Sequence, residues 1–184
     1  MMTLIIGGSG SGKSAYAEKY IDSFSEERMK YYLATMQVFD KEGEEKIAKH
    51  REMRAGKGFI TIEQPMQIQK AVEEMCVGEK AALLECMSNL TANEMFVEQE
   101  PKKEETMIAE IVKGIAVLAE EVSVLVIVSN NVFEDGITYD ETTMRYIRVL
   151  AEINKQLATM ADEVIEVVVG IPVVIKANNA RGIL

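Results

Sequence analysis

Residues 7 to 14 read GGSGSGKS, and no other stretch restricts the fold so tightly. The stretch fits G-x-x-x-x-G-K-[ST] and stands where that pattern has to stand, between a short apolar run and a helix-compatible segment. The run is TLII, residues 3 to 6; the helix should begin near Gly12 and carry Ala15, Ala17 and Tyr20. Gly7, Gly8, Gly10 and Gly12 let the backbone curl, so that the N–H groups of a loop that also contains Ser9 and Ser11 converge on phosphate oxygens. The helix turns its positive end to the same anion. Lys13 is then expected to reach the β- and γ-phosphates, and the Ser14 hydroxyl to ligate magnesium. A merely flexible glycine loop would need neither the strand nor the helix.

Further along, strands and helices alternate. YYLAT (31–35), FITIE (59–63), AALLE (81–85) and VSVLVIVSN (122–130) read as strands. Segments 41–54, 66–75, 104–120 and 141–160 read as helices, and the charge run EQEPKKEET (98–106) as a solvated loop. EVIEVVVG and IPVVIK close the chain as two strands, a hairpin around Gly170-Ile171-Pro172. This order implies βαβ units and a mainly parallel sheet. The fold expected is α/β, a P-loop NTPase domain with a RecA-like sheet flanked by helices and ending in a β-hairpin. With 184 residues and no repeat or linker, residues 1–184 are expected to form one nucleotide-binding domain.

Glu85 closes AALLE and is the candidate acid to hold magnesium or its waters beside Ser14. Its alternative role is to cap the next helix. These features alone imply a nucleoside triphosphate, a pattern that adenylate-kinase-like enzymes, GTPases and motor ATPases share. The GTPase base-reading signature N-K-x-D is missing, and so is an arginine-rich lid.

Charge narrows the reading. The net charge is −10, which argues against a general nucleic-acid or membrane-surface binder, since both need a cationic face. Yet KIAKHREMR, residues 46 to 54, places Lys46, Lys49, Arg51 and Arg54 around His50, the one histidine of the chain. On a helix His50 and Arg54 share a face with Lys46. Such a cluster repels itself unless an anion sits in it, and a triphosphate supplies one. A lone histidine on a polar helix is most often a surface residue. Beside an α-phosphate, however, a neutral imidazole nitrogen can attack phosphorus and form a phosphoramidate. Cys76 and Cys86 have no metal-type spacing and read as buried or incidental thiols of a reducing compartment. The N-terminus lacks the basic segment and longer apolar run of a signal peptide, and no stretch reaches the ~20 apolar residues of a membrane helix, so a cytoplasmic protein is expected.

The residues GGSGSGKS, YYLATMQ, KIAKHREMR, TIE, LLECMSNL, VSNNV, INKQLATMADEV and VVVGIPVVIK, in that order, cover most of the chain. In them the chain resembles the bifunctional adenosylcobinamide kinase and adenosylcobinamide-phosphate guanylyltransferase family of cobalamin biosynthesis. The histidine followed by arginine four residues later and the VVVGIPVVIK ending are its more particular marks. The resemblance implies two reactions on one nucleotide site, with magnesium. The terminal phosphate of ATP or GTP goes to the aminopropanol hydroxyl of adenosylcobinamide, and GMP from GTP then goes to that phosphate, giving adenosylcobinamide-GDP. It implies that His50 is the guanylylated residue and Lys13 a catalytic cation. It places the nucleotide on Gly7 to Ser14, Ala34, Thr35, Met36, Arg51, Glu52, Met53, Arg54, Glu63 and Glu85, and it implies a homotrimer. Two departures stand out. The family commonly has Asn-Glu-Val where this chain has Asn130-Asn131-Val132, so a carboxylate is missing, and AGKGF (55–59) differs from the proline- and tryptophan-containing version of some members. Two other readings are a small-molecule kinase needing Lys13, Ser14 and Glu85 but not His50, and a nucleotide-binding module without catalysis.

Overall fold

A computed structural model of the protein describes residues 1–24, 28–37, 56–96, 103–131, 137 and 139–177. Its strands are β1 (Met2–Gly7), β2 (Met29–Ala34), β3 (Phe59–Glu63), β4 (Lys80–Glu85), β5 (Val124–Asn130), β6 (Glu163–Val168) and β7 (Ile171–Lys176). They form one sheet in the order β3-β2-β4-β5-β1-β6-β7, parallel except for the β6–β7 hairpin. The helices are α1 (Lys13–Asp22), α2 (Met87–Met95), α3 (Glu104–Glu121) and α4 (Glu141–Met160), with a 3-10 helix at Ile68–Glu74.

The central strands explain the continuous apolar runs of the sequence. Val124 to Ser129 of β5 and Ala81 to Leu84 of β4 are buried, as strands covered on both faces must be. One face packs Ile5, Tyr32, Leu83, Val126 and Val128 against Ala17 and Ile21 of α1. The other packs Leu4, Leu33, Leu84 and Ile127 against Leu90 of α2, Ile115 and Leu118 of α3, and Ile153 and Leu157 of α4. The longest helix, α4, is tied at both ends. Thr143 N donates to Asp140 Oδ1 at 3.0 Å at its start. Hydrogen bonds from Thr143 hold the Asp140 carboxyl below its ordinary value. At its end Lys176 Nζ donates to the carbonyls of Ala158, Thr159 and Ala161 at 3.1, 3.0 and 2.6 Å. A cation there also meets the negative end of the helix dipole.

The strands and the helices at 104–120 and 141–160 fall where the sequence puts them, to within a residue or two. Three features differ. Segment 66–75 forms a 3-10 helix, not an α-helix; its buried residues, Ile68 and Ala71, are three apart, the period of that tighter turn. Helix α2 follows β4 at once through Cys86, which makes no side-chain cap; MSNLTANEM carries Ser, Asn and Thr, weak helix formers, and gives no periodic signal. The hairpin turns one residue earlier than expected, at Val169-Gly170: Val168 pairs with Ile171, and Pro172 lies within β7 opposite Val167. Proline suits that position because β7 is an edge strand. The helix expected at 41–54 lies outside the described residues, as does most of the run 98–106, of which Glu104 already opens α3. Cys76 is exposed and Cys86 half-buried, both free thiols.

Candidate active site

The parallel strands end together on one edge of the sheet. Ala34 pairs with both Glu63 and Glu85, and Gly7 pairs with Asn130. The phosphate loop rises from β1 at this edge and runs into α1. Gly10 and Gly12 sit at φ 71° and 88°, a left-handed region that glycine enters without steric cost. A Cβ on Gly7 would stand 2.6 Å from both the Val167 carbonyl and Ser11 Oγ, so no larger residue fits. Gly8 and Gly10 face open space. Gly12 is the N-cap of α1 and offers no side chain, so the first N–H groups of the helix have no side-chain cap. Open glycines and uncapped donors at a helix start make an anion cradle.

Lys13 is 8% exposed, and its Nζ donates to the Gly8 carbonyl at 3.0 Å, bending over the loop it serves. Burial pushes its ammonium below the ordinary value, while Cys86 and Glu85 oppose the shift. Phosphate oxygens would add counter-charge to this buried cation. Glu85, on the same side of the sheet as α1, accepts a hydrogen bond from the Tyr32 hydroxyl at 2.9 Å. The Ser14 hydroxyl and the Glu85 carboxylate are hard oxygen donors, and two protein oxygens completed by phosphate and water suit magnesium. Among the described residues, no group of three or more His, Cys, Asp or Glu could hold a metal by itself.

Thr35 is fully buried. Its N–H donates to the Glu85 carbonyl at 3.1 Å. Its hydroxyl accepts from Cys86 N and donates to Cys86 O, both at 2.8 Å. Its carbonyl accepts from Asn93 Nδ2 at 2.7 Å, and the same amide reaches the Pro65 carbonyl at 2.9 Å. Every polar group of Thr35 thus anchors the chain around Glu85, and the ligand-accessible part of this stretch is Ala34 and Met36, both half-buried. Glu63 ends β3 on the same edge. His50, Arg51, Glu52, Met53 and Arg54, with Lys46 and Lys49, lie outside the described residues.

Four residues at this edge went unread in the sequence as parts of a site: Tyr32, Asn93, Glu166 and Gly170. Asn131 N donates to the Gly7 carbonyl at 3.1 Å, and its side-chain amide lies 3.4 Å from Glu166 Oε1. A carboxylate therefore does stand beside Asn131, supplied by β6. Gly170 N donates to the Ser11 carbonyl at 2.8 Å, which fastens the hairpin to the phosphate loop. Strand alternation does put Tyr32 on the face of Ala34; no sequence signal marks the other three, because each acts across a distance of 28 residues or more along the chain.

The geometry has counterparts among known proteins. A family model described as cobinamide kinase / cobinamide phosphate guanyltransferase matches residues 3–175. The bifunctional adenosylcobalamin biosynthesis protein CobU of Escherichia coli is 33% identical over 96% of this chain and 100% of its own length. That of Salmonella typhimurium is 32% identical over the same shares. Among solved structures, the flagellar accessory protein FlaH of Methanocaldococcus jannaschii superposes with a TM-score of 0.52 at 14% identity, covering 99% of this chain and 80% of that one. A KaiC-like protein of Pyrococcus horikoshii gives 0.51 at 14%, covering 90% and 69%. At that identity the two structures speak for the fold alone, the RecA-like ATPase architecture.

Proposed function

The chain belongs to the cobinamide kinase / cobinamide phosphate guanyltransferase family, and from that premise we propose that it phosphorylates adenosylcobinamide with ATP or GTP and then guanylylates the product through His50. The observation that carries the reading is the joint placement of the phosphate loop, Lys13 and Glu85 on one sheet edge, in a chain matched by the family over nearly its whole length.

In the first step the loop N–H groups and Lys13 hold the triphosphate and offset charge that grows on the β–γ bridging oxygen. Glu85, steadied by Tyr32, and Ser14 are the residues that would hold magnesium, which when bound neutralises phosphate charge. The substrate hydroxyl oxygen bonds to the γ-phosphorus and releases its proton to solvent, the bond to the bridging oxygen breaks, and its electron pair leaves with the nucleoside diphosphate. In the second step a neutral His50 nitrogen bonds to the α-phosphorus of GTP and pyrophosphate leaves. The phosphate of adenosylcobinamide phosphate then takes the guanylyl group from nitrogen, giving adenosylcobinamide-GDP. Lys46, Lys49, Arg51 and Arg54 are suited to hold the triphosphate during this exchange; Glu52, Met53, Glu63, Ala34 and Met36 are the other nucleotide contacts proposed.

The assembly proposed is a homotrimer, acting in the cytoplasm. The exposed apolar residues Val173, Val174 and Ile175 of β7 are what an assembling protein presents, and sedimentation measures the mass. No helix among the described residues is long and apolar enough to cross a membrane.

The deciding experiment is intact-protein mass after incubation with GTP and magnesium. A GMP increment that is labile to acid, stable to base and absent from His50→Ala is expected, while His50→Ala keeps most of its kinase turnover. An increment that persists in the variant moves the nucleophile elsewhere. No increment in the parent, alongside good kinase activity, leaves a kinase without nucleotidyl transfer.

A further inference from the structure

The turn of the C-terminal hairpin is strained. Val169 lies at φ 45° and Gly170 at φ 83°. Two successive positive φ values make the tight primed turn that a two-residue hairpin favours, and its first position is ordinarily Asn, Asp or Gly. A β-branched residue there is an outlier. Packing inside the chain does not explain it, because Val169 is 82% exposed. Yet the turn is fixed: Gly170 N donates to the Ser11 carbonyl at 2.8 Å, and a Cβ on Gly12 would stand 3.4 Å from Gly170 Cα. An exposed aliphatic residue in a strained conformation thus adjoins Gly170, whose backbone is held against Ser11 and Gly12 of the phosphate loop.

Sheet order says which part of a nucleotide would meet it. β4, with Glu85, lies on one side of β1, and β6 and β7 lie on the other. Lys13 is placed to meet the β- and γ-phosphates, and Glu85 and Ser14 would hold magnesium beside them, so the buried Lys13 and Glu85 mark the γ end of a bound triphosphate. A triphosphate laid along the loop with that end towards β4 sends its nucleoside towards the hairpin. We propose that Val169, with Ile171 beside it (62% exposed), forms the platform on which the purine nucleoside of the phosphoryl donor rests. Aliphatic side chains hold a purine by dispersion and by burial of apolar surface, and they do not read its hydrogen-bonding edge. The platform therefore takes adenine and guanine alike, the two bases that the proposed kinase step uses. It rests on that reading for its substrates only; the loop and hairpin geometry stands without it.

The test uses the full chain and its Val169→Asn variant, with Val169→Gly as the second substitution, since both residues tolerate positive φ. Binding of ADP and of GDP with magnesium is measured by calorimetry, together with thermal unfolding of the free protein and its sedimentation. Relief of strain should raise the unfolding midpoint of the free variants. Loss of the platform should weaken ADP and GDP by a similar factor, about five- to tenfold, the scale of one aliphatic side chain taken out of contact. In turnover, the KM for ATP in phosphorylation and the GTP dependence of guanylylation should rise by similar factors, since one triphosphate site serves both. Affinity for both diphosphates within twofold of the parent overturns the proposal. So does a loss that tracks a change in sedimented mass, which would assign the tip to contact between copies. A parent that binds ADP through Val169 but phosphorylates no cobinamide would sink the proposed function and leave the platform standing.

Discussion

The two flanks of the phosphate loop are built on opposite principles. On the β4–β2–β3 side, polar groups are spent on one another: Tyr32 on Glu85, Thr35 on Cys86 and Asn93 on both Thr35 and Pro65. On the β6–β7 side a strained turn with exposed aliphatic residues leans on the loop through one backbone hydrogen bond. The first arrangement fixes a carboxylate in place, because a network whose donors and acceptors are all met resists displacement. The second offers surface without direction. A site that fixes phosphate while accepting more than one purine donor needs both, and here they stand on separate sides of one loop.

The contrast can be broken most severely at the element the flanks share. Lys13→Ala removes the loop cation and should cost on the order of 3 kcal/mol in the transition state, about a hundredfold. Both phosphorylation and guanylylation should fall, since one triphosphate site serves both; kinase turnover within a fewfold of the parent would show that the loop is not the site. On the polar flank, Thr35→Val keeps the shape but leaves the buried Cys86 N–H without its partner and takes one of two donors from the Cys86 carbonyl, which keeps Leu90 N at 3.1 Å. Urea unfolding should register a loss of about 2 kcal/mol, the cost of an orphaned buried group. Magnesium dependence of the kinase step should shift with it, because Glu85 precedes Cys86; an unchanged midpoint would mean that the network is ornamental. On the apolar flank, Lys176→Met uncaps the end of α4 and loosens the far end of β7. It should cost about 1 kcal/mol and leave the kinase step near the parent level. A loss as large as that of Thr35→Val would erase the distinction between the flanks.

Much of this was legible in the sequence, for identifiable reasons. β1, β4 and β5 announce themselves because strands covered on both faces must be continuously apolar. The phosphate loop is legible because its backbone conformation demands glycines at set intervals. Helix α2 was not, since Ser88, Asn89, Thr91 and Asn93 disguise it as a turn, and Asn93 is there to bridge Thr35 and Pro65. Nor was Glu166: Asn131 reads as a missing carboxylate until β6 is seen to bring one alongside, 35 residues later. Pairing across the sheet is not written in local periodicity.

β1 has a consequence for how the protein is made. It lies far ahead in sequence of its sheet neighbours β5 and β6, which begin at Val124 and Glu163. Met2 N donates to Asp162 Oδ2, and Asp162 N donates back to Met2 O, both at 2.8 Å. The loop that β1 carries is braced by Gly170, near the other end of the chain. During synthesis β1, an apolar strand, must therefore wait without its partners until β5 and β6 have been made. Contacts this distant in sequence delay folding and leave strand edges open to aggregation. Until β6 and β7 are made, the phosphate loop lacks the brace that Gly170 gives it at Ser11.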